Sequence, residues 1–354
     1  MKVFLESHNI TNKFGGFGTF NYELIHALSG LDTTGLEITL NSKYPEQLKK
    51  EFKNTFNYSK YKSFERYPLF RKKTKYDVWH SLNQNTKVEP FFKPKKYILT
   101  VHDVNFMEEI AAENKNHEII KRFKSKIERA DIITYVSEYS KNQTHHYFNV
   151  KNKPEYVIYN GNPCEQLLDT NDFSPTNHPL NQPFFFSIGD FLARKNFLAL
   201  VQMMEKMEDH ILLLAGNDDK TYGDKIRDYI KDKNLENKVF LLGKISNSAK
   251  QYYLKNCTAF LFPSIREGFG LPPIEAMKFG KPVFLSNLTS LPEIGADVAF
   301  YWESFNPDTM KDFLFSKLDL FSKNQAFYTE KLKTRADFFS WEKAAKDYLR
   351  LYRE

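Results

Sequence analysis

The segment Arg266–Met277 combines residue types that suit an anionic, hydroxylated ligand. It reads REGFGLPPIEAM and follows the apolar run Thr258–Phe262, which predicts a strand, a glycine turn and a helix opened by prolines. Gly268 and Gly270 let a ligand approach the bare backbone, and the N–H groups at a helix start carry partial positive charge. The corner therefore favours a phosphate.

Two carboxylates bracket this corner, Glu267 on the loop and Glu275 in the predicted first helical turn. Carboxylates accept hydrogen bonds from sugar hydroxyls. The arrangement suits a ligand that is anionic in the middle and hydroxylated at both ends, as a nucleotide diphosphate sugar is. For Glu275 alone, the alternative is an acidic first turn stabilised by the helix dipole.

This strand, loop and helix resemble those of the retaining glycosyltransferases of family 4, whose E-x7-E motif is similar to Glu267 and Glu275. The resemblance runs over most of the chain and is strongest between residues 184 and 295. It implies the GT-B architecture, an α/β fold in which two Rossmann-like domains face a cleft and the C-terminal one holds the donor. The corner residues that it implies as donor contacts are Gly268, Phe269, Gly270 and Leu271.

A basic pair follows another predicted strand. The apolar run Phe184–Ile188 leads into Gly189 and then Arg194 and Lys195. A buried diphosphate needs cations, and adjacent ones before a helix meet that need; an exposed basic loop is the alternative. The stretch is similar to the family's R-K-N sequence, and this resemblance implies that Gly189, Arg194 and Lys195 bind the donor. Many family members have arginine where this chain has Asp190, and we expect Arg194 to compensate.

The first half alternates predicted strands and helices, which indicates a parallel sheet covered on both faces. Its predicted strands are Val3–Glu6, Glu37–Leu40, Val78–Leu82, Tyr97–Val101, Ile132–Val136 and Tyr156–Tyr159. His102 follows one of them, and ligands of open α/β sheets bind beyond the carboxyl ends of strands. The resemblance implies that His102 faces the sugar and the acceptor; a turn role is the alternative. His80 is a weaker candidate.

Two further donor contacts come from the resemblance. Gly16 belongs to the G-G-x-G stretch after the first strand, which is either an ordinary turn or, as the family implies, a loop beside the donor phosphates. Lys244 and Ile245 follow the predicted strand Lys238–Leu242, where the family's backbone meets the nucleotide base. Backbone contacts leave little trace in side chains, so the sequence does not specify the base.

The length of 354 residues predicts two domains. Prolines and polar residues crowd into 161–183, which reads as a linker. We expect an N-terminal domain over 1–165, a linker over 166–182 and a C-terminal domain over 183–339. Residues 340–354 have the spacing of an amphipathic helix, and the resemblance implies that this helix crosses back to the N-terminal domain.

The net charge of +7 is concentrated in residues 49–75, where basic residues alternate with aromatic ones. This segment predicts contact with an anionic membrane, binding of an acidic acceptor, or a solvated lysine-rich surface. Nucleic acid is not expected, because no recognised motif accompanies the charge. The chain has neither an apolar run near the ~20 residues of a membrane span nor the apolar start of a secretion signal. We therefore expect a cytoplasmic protein, peripheral at the inner membrane face if the segment binds lipid.

The expected reaction is transfer of a hexosyl group to an acceptor hydroxyl with retention at the anomeric carbon. Arg194, Lys195 and the helix start would stabilise the departing diphosphate without a metal or other cofactor, and no Asp-x-Asp metal motif stands at a suitable strand end. Glu267 would hold sugar hydroxyls and Glu275 the ribose. The expected catalytic set is His102, Glu267, Lys195 and Arg194.

The family's bacterial surface-polysaccharide members make GDP-mannose the favoured donor, with UDP-hexoses second, and a glycan or lipid-linked molecule the expected acceptor. Two alternatives stay open. One is a nucleotide-sugar 2-epimerase of the same fold, which would need no acceptor. The other is a non-catalytic partner of another glycosyltransferase that has kept a donor pocket.

Overall fold

The computed structural model describes residues 1–12, 15–110, 117–164, 166–170, 173, 175 and 182–354. The chain divides into two compact units. The N-terminal unit comprises Met1–Gly161 and Ser340–Glu354, and the C-terminal unit comprises Asn162–Phe339. The predicted linker, 166–182, lies largely outside the described residues.

Strands and helices alternate along most of the described chain. The strands are β1 Lys2–Glu6, β2 Glu37–Ser42, β3 Asn57–Lys60, β4 Val78–Ser81, β5 Lys96–Val101, β6 Ile132–Tyr135, β7 Glu155–Val157, β8 Phe184–Ile188, β9 Ile211–Ala215, β10 Val239–Gly243, β11 Ala259–Phe262, β12 Val283–Ser286 and β13 Phe300–Trp302. The helices are α1 Gly16–Ser29, α2 Pro45–Phe52, α3 Phe106–Glu109, α4 Glu118–Arg129, α5 Glu138–Tyr147, α6 Phe197–Met204, α7 Thr221–Asp232, α8 Asn247–Asn256, α9 Leu271–Lys278, α10 Leu291–Gly295, α11 Pro307–Lys323, α12 Gln325–Phe338 and α13 Trp341–Arg353.

Each unit is built on one parallel sheet. The N-terminal sheet has the order β3-β2-β1-β4-β5-β6-β7, and the C-terminal sheet has the order β10-β9-β8-β11-β12-β13. In both, the order reverses next to the first strand of the unit, between β1 and β4 and between β8 and β11. Ligands of doubly wound sheets bind at such a reversal, beyond the carboxyl ends of the strands.

The strands are buried because helices cover the sheets, so central strands read as continuous apolar runs. In β8, Phe184, Phe185 and Phe186 are all buried, and β9 is buried throughout. This is why the runs Phe184–Ile188 and Ile211–Ala215 predicted strands without any alternation.

Helix α13 belongs to the N-terminal unit, as the predicted crossing back requires. Its buried face carries Trp341, Tyr348 and Tyr352. The Tyr348 hydroxyl lies 3.2 Å from Thr100 Oγ1 on β5, and the ring of Trp341 packs on Phe20 of α1. The helical spacing of these aromatic residues was the signal for this helix.

Two strands escaped the sequence-based prediction. β3 is an edge strand whose residues are exposed or half-buried, so it lacks an apolar pattern. β13 is a short strand at one edge of the C-terminal sheet, next to β12. Helix α1 begins at Gly16, so Gly16 and Gly18 of the G-G-x-G stretch lie in its first turn.

The described residues of the predicted linker belong to the C-terminal unit, which begins at Asn162. The side chain of Gln251 on α8 accepts a hydrogen bond from the Leu168 N–H at 2.8 Å and donates to the Gln166 carbonyl at 3.2 Å. The ring of Phe173 lies 5.0 Å from that of Tyr252. Among the described residues, no helix has the length and hydrophobicity to cross a bilayer.

Candidate functional site

The carboxyl ends of β8 and β11 are neighbours at the reversal of the C-terminal sheet. The loop after β8 carries Gly189, Arg194 and Lys195, and the loop after β11 carries Glu267. Since parallel strands end at the same edge, both loops begin on one side of the sheet. This brings together residues more than seventy positions apart.

Lys195, Arg194 and Glu267 form an ion cluster at this edge. Lys195 Nζ contacts Glu267 Oε1 in a short hydrogen bond, and Arg194 Nη1 lies 3.5 Å from Glu267 Oε2. Lys195 and Glu267 are each only 8% exposed. The Lys195 ammonium also lies 4.9 Å from the centroid of the Phe262 ring. This ring helps to shield the Lys195–Glu267 pair from water.

The charges of this cluster do not cancel. Burial raises the pKa of Glu267, but the attraction of Lys195 and Arg194 outweighs it and holds that pKa below its ordinary value. The carboxylate is therefore ionised at neutral pH, and two cations face it in the buried cluster. Asp190, whose charge also acts on Lys195, is exposed to solvent and so offsets the buried positive charge less. The remaining positive charge can receive an anionic ligand.

Backbone hydrogen bonds join the two loops. The Arg194 carbonyl accepts from Ser264 Oγ at 3.0 Å and from the Ile265 N–H at 2.8 Å. Arg194 Nη1 donates in return to the Arg266 carbonyl at 3.1 Å. The position of the cations is thus fixed by the loop that carries the acid.

Thr289 and Ser290, which the sequence analysis did not single out, hold the acidic loop from its other side. The Glu267 N–H donates to Thr289 Oγ1 at 3.1 Å, and Ser290 Oγ donates to the carbonyls of Glu267 and Phe269 at 3.1 and 2.5 Å. The available signal was their place after β12, the neighbour of β11. Hydroxyl side chains after a strand are too common to reveal their targets.

The corner backbone is shaped by Gly270. Its φ of +125° is one that L side chains rarely adopt, and an added Cβ would lie 3.0 Å from a Leu291 methyl. Leu271 is the first residue of α9, and Gly268 is half-buried on the loop. Phe269 is buried against the ring of Phe339, with centroids 5.7 Å apart. Its side chain is therefore core, and only its backbone is available to a ligand.

Glu275 differs from its prediction. It lies in the second turn of α9, because the helix begins at Leu271 and its first turn contains no acid. A helix-dipole role for Glu275 is excluded by this position. Its Oε2 lies 2.7 Å from Lys250 Nζ on α8, and the carboxylate is buried. The sequence did not indicate Lys250 as the partner of Glu275.

The remaining candidates of the C-terminal unit lie along the same sheet edge. The backbone of Gly189 packs against that of Gly216. A Cβ added at Gly216 would lie 1.8 Å from the Gly189 carbonyl oxygen. Lys244 is exposed and Ile245 half-buried just after β10, which is two strands from β8. At roughly 4.8 Å per strand, β10 lies about 10 Å from β8 across the sheet. Asp190 is exposed beside the cluster.

His102 lies in the N-terminal unit, directly after β5. Its Nε2 donates to the Leu82 carbonyl at 2.9 Å, and its ring meets those of Phe17 and Phe20 edge-on. Burial lowers its pKa to about 4. The ring is therefore neutral at physiological pH, and because Nε2 carries the hydrogen, Nδ1 is an acceptor.

His80, the weaker candidate, is a structural residue. It is fully buried in β4, with Nδ1 2.8 Å from the Tyr352 hydroxyl of α13 and Nε2 2.7 Å from Thr100 Oγ1. Burial lowers its pKa to about 3. Both ring nitrogens are therefore occupied, one by Tyr352 of α13 and the other by Thr100 of β5, which is a structural role.

Gly16 begins α1, and a Cβ added there would meet nothing within 4 Å. The open space is compatible with a ligand at the helix start. Gly18 is the packing glycine of this stretch, since its Cβ would lie 1.9 Å from the Asn12 carbonyl oxygen. Lys13 and Phe14, between the first strand and these glycines, lie outside the described residues.

Similarity to solved structures defines the class of fold. Anabaena Alr3699/HepE, solved in complex with UDP and glucose, superposes with a TM-score of 0.74 at 14% identity, covering 100% of this chain and 99% of that one. Together with the two parallel sheets, this confirms the predicted GT-B fold.

Comparisons with known sequences indicate the class of protein. Residues 169–315 match the family described as "Glycosyl transferases group 1". The uncharacterized glycosyltransferase MJ1178 of Methanocaldococcus jannaschii is 30% identical over 236 residues, 66% of this chain. The O-antigen chain mannosyltransferase RfbU of Salmonella typhimurium is 26% identical over 226 residues, 63% of this chain. The chain spans 62% and 56% of the lengths of these two relatives.

Proposed function

We propose that this chain is a retaining glycosyltransferase of the family 4 type, which transfers a hexose from a nucleotide diphosphate sugar to a hydroxyl of a glycan or lipid-linked acceptor. The observation that carries the proposal is the buried cluster of Lys195, Arg194 and Glu267 at the reversal of the C-terminal sheet. Its surplus positive charge suits a diphosphate, and its carboxylate suits sugar hydroxyls.

The bond between the anomeric carbon and the diphosphate oxygen breaks, the acceptor oxygen bonds to that carbon on the same face, and the acceptor proton goes to the departing diphosphate. The diphosphate gains negative charge as it leaves, and Lys195 and Arg194 would stabilise that charge. Neither Glu267 nor Glu275 is assigned as a covalent nucleophile.

Glu267 would exchange partners when the donor binds. In the structure it accepts from Lys195 and Arg194, and a bound diphosphate would draw both cations to itself. The carboxylate would then accept from sugar hydroxyls. Glu275, held by Lys250, would meet the ribose, while Lys244 and Ile245 at the far strand would meet the base.

The neutral His102 would accept a hydrogen bond from a sugar hydroxyl through Nδ1. A protonated imidazole could not do so, and the lowered pKa keeps the ring neutral over the physiological range. Gly16 would leave room for the donor phosphates at the start of α1. No step in this proposal needs a metal or another cofactor.

Mannose is the favoured sugar, because relatives such as RfbU are named as O-antigen chain mannosyltransferases. GDP-mannose is therefore the first donor to test, and UDP-glucose the second, since HepE was solved with UDP and glucose. O-antigen is a cell-surface polysaccharide, and we propose the same class of pathway, at the cytoplasmic side, for this chain.

The test is release of nucleoside diphosphate from each donor, with and without polyprenyl-linked or free glycan acceptors. We expect acceptor-dependent release and a product whose anomeric configuration, read by NMR, matches the donor. An epimerase would change the sugar without an acceptor, and a non-catalytic partner would bind the nucleotide without releasing it. Either result, or an inverted product, would refute the proposal.

A further inference from the structure

The connection from β3 to β4 exposes apolar side chains where a doubly wound fold normally places a helix. It contains two short 3-10 turns, Ser63–Arg66 and Pro68–Phe70. Tyr61 and Tyr76 at its ends pack against the core of the N-terminal unit. The large apolar residues exposed between them are Phe64, Tyr67, Leu69 and Phe70.

A second loop continues this surface. Phe91 and Phe92, between β4 and β5, are exposed and pack against each other with centroids 4.9 Å apart. Lys73 Nζ lies 5.6 Å from the Phe91 ring centroid, and Lys75 Nζ lies 5.4 Å from that of Phe92. We call the combined surface the aromatic-basic patch and define it as residues 62–75 and 91–95.

The rings of the first loop also carry cations. Lys62 Nζ lies 5.7 Å from the Phe64 centroid, and the guanidinium of Arg66 lies 4.9 Å from the Tyr67 centroid. Leu69 is 86% exposed and has no place in any core. A contiguous exposed apolar surface of this kind marks an interaction site.

Acidic groups do not offset the positive charge. Glu65, the sole carboxylate within the patch, is buried and lies 3.4 Å from Lys72. Asp77, just outside the patch, pairs with Lys95 at 2.9 Å. The outward face is therefore apolar at Leu69 and positive around it.

The structure changes the extent of the basic segment predicted over 49–75. Lys49 and Lys50 belong to α2, and the aromatic residues nearest to them, Phe52 and Phe56, are buried. The half preceding residue 62 therefore has exposed lysines, such as Lys49, Lys53 and Lys60, without exposed aromatic side chains beside them. The loop 91–95 was missed, because its aromatic and basic residues come from a different part of the sequence and join the patch only through the fold.

We propose that the aromatic-basic patch docks the protein on an anionic lipid bilayer, with Leu69 and Phe70 entering the interface and the surrounding cations at the headgroups. Aromatic rings beside cations suit this boundary, where one end of a residue is apolar and the other is wet. The inference goes beyond the proposed function and does not depend on it, because vesicle binding is measured without any nucleotide sugar.

Two other partners fit the patch less well. Protein interfaces are depleted of lysine, whereas Lys62, Lys73, Lys75 and Lys93 all lie here. Single-stranded nucleic acid would stack on open aromatic faces, but cations already lie over those of Phe64, Tyr67, Phe91 and Phe92. A bare leucine side chain offers nothing to a nucleic acid.

The experiment is co-sedimentation of the full chain with vesicles of phosphatidylcholine alone or mixed with phosphatidylglycerol. We expect at least about tenfold stronger binding to the mixed vesicles, weakened by added salt. The double variant L69S/F70S should lose about tenfold or more of this binding, since it removes the inserting side chains. The variant K62S/R66S/K73S/K75S should lose about six-hundredfold, at about fivefold for each of the four cations.

The matched control is F327S/K331S. Phe327, on α12 of the C-terminal unit, is also exposed and has Lys331 4.9 Å from its ring centroid, but Lys331 pairs with Asp297 at 3.2 Å, so its charge is offset. This variant should bind vesicles as the unchanged protein does. Thermal unfolding midpoints check that the substituted chains remain folded, as expected for exposed positions.

Three outcomes would overturn the proposal. They are equal binding to neutral and anionic vesicles, unchanged binding of L69S/F70S, and binding to an RNA oligonucleotide that is tighter than to vesicles and is lost in the cation variant.

Discussion

The two units share a strand order up to the sixth strand but present different chemistry at the carboxyl edges of their sheets. In the C-terminal unit the edge carries the ionised cluster of Lys195, Arg194 and Glu267. In the N-terminal unit the edge carries His102, which burial keeps neutral. The difference shows that loop residues, and not the sheet, define what each unit can bind.

The two sites also differ in how burial is tolerated. A buried charge needs a partner, and Glu267 has two. A buried histidine can instead give up its proton, as His80 and His102 do. We therefore expect the charged diphosphate at the ion cluster of the C-terminal unit and neutral hydroxyls at His102.

The largest expected effect is acid destabilisation of the N-terminal unit. His80 and His102 protonate near pH 6.5 when unfolded but only near 3 and 4 when folded. Proton uptake below pH 6.5 therefore favours unfolding, and by pH 5 each histidine should cost about 2 kcal/mol of stability. Hydrogen exchange of the amides of β4 and β5 measures this loss.

The C-terminal unit is the internal control for this measurement. The stability that Glu267 contributes is present above its ordinary pKa and is lost only as pH falls through its lowered one. Half-buried His210, whose pKa burial also lowers, should give a smaller effect. Equal loss of protection in β8 and β4 between pH 7 and 5 would contradict the contrast, and H80N should flatten the curve for β4.

The next effect is on transfer. Lys195→Ala removes a cation from the leaving diphosphate, and we expect kcat/KM to fall about a hundredfold, or ~3 kcal/mol. The matched control is K278A, which removes a lysine paired with Asp337 near the end of α9 and should change kcat/KM less than twofold. Similar losses in both variants would mean that the effect is structural.

Two glycines compare the units directly. Gly270→Ala in the C-terminal unit forces an alanine to φ +125° against Leu291, and we expect a loss of about 1–3 kcal/mol in unfolding free energy. Gly16→Ala in the N-terminal unit has open space and a helical backbone, so stability should not fall. If Gly16 lies near the donor phosphates, G16A should still raise KM. A stable G16A with unchanged kinetics would remove Gly16 from the site.

The smallest effect concerns the attachment of α13. Tyr352→Phe deletes the hydroxyl that bonds His80 and should cost about 1 kcal/mol of unfolding free energy. Tyr352 is buried, so the ring should stay in place. An unchanged urea midpoint would show that this hydrogen bond does not contribute to holding the helix.

Much of the fold was predictable because buried parallel strands are apolar over their whole length, as in β8 and β9. The edge strand β3 was not, since Asn57–Lys60 has no buried pattern to detect. The start of α9 was predicted one residue too late. Prolines at the second and third positions of α9 predicted a start, but the helix begins at Leu271, which moved Glu275 into the second turn.

Within the site, the meeting of Lys195 and Glu267 followed from two strand ends and a family resemblance. The partnership of Glu275 with Lys250 did not, because it depends on how α8 packs beside α9. His80 shows the converse limit of sequence reasoning. A histidine at a strand end suggests a functional role, because its contact with Tyr352, 272 positions away, cannot be read from the sequence.

The central claim is that Lys195 and its neighbours hold the donor diphosphate. The direct measurement is calorimetric titration of GDP against guanosine, and of UDP against uridine, with the unchanged chain and with K195A. We predict that the diphosphate strengthens binding of one base by about a hundredfold in the unchanged chain, and that K195A removes most of this gain while leaving nucleoside binding unaltered. The same diphosphate gain in both proteins would contradict the account.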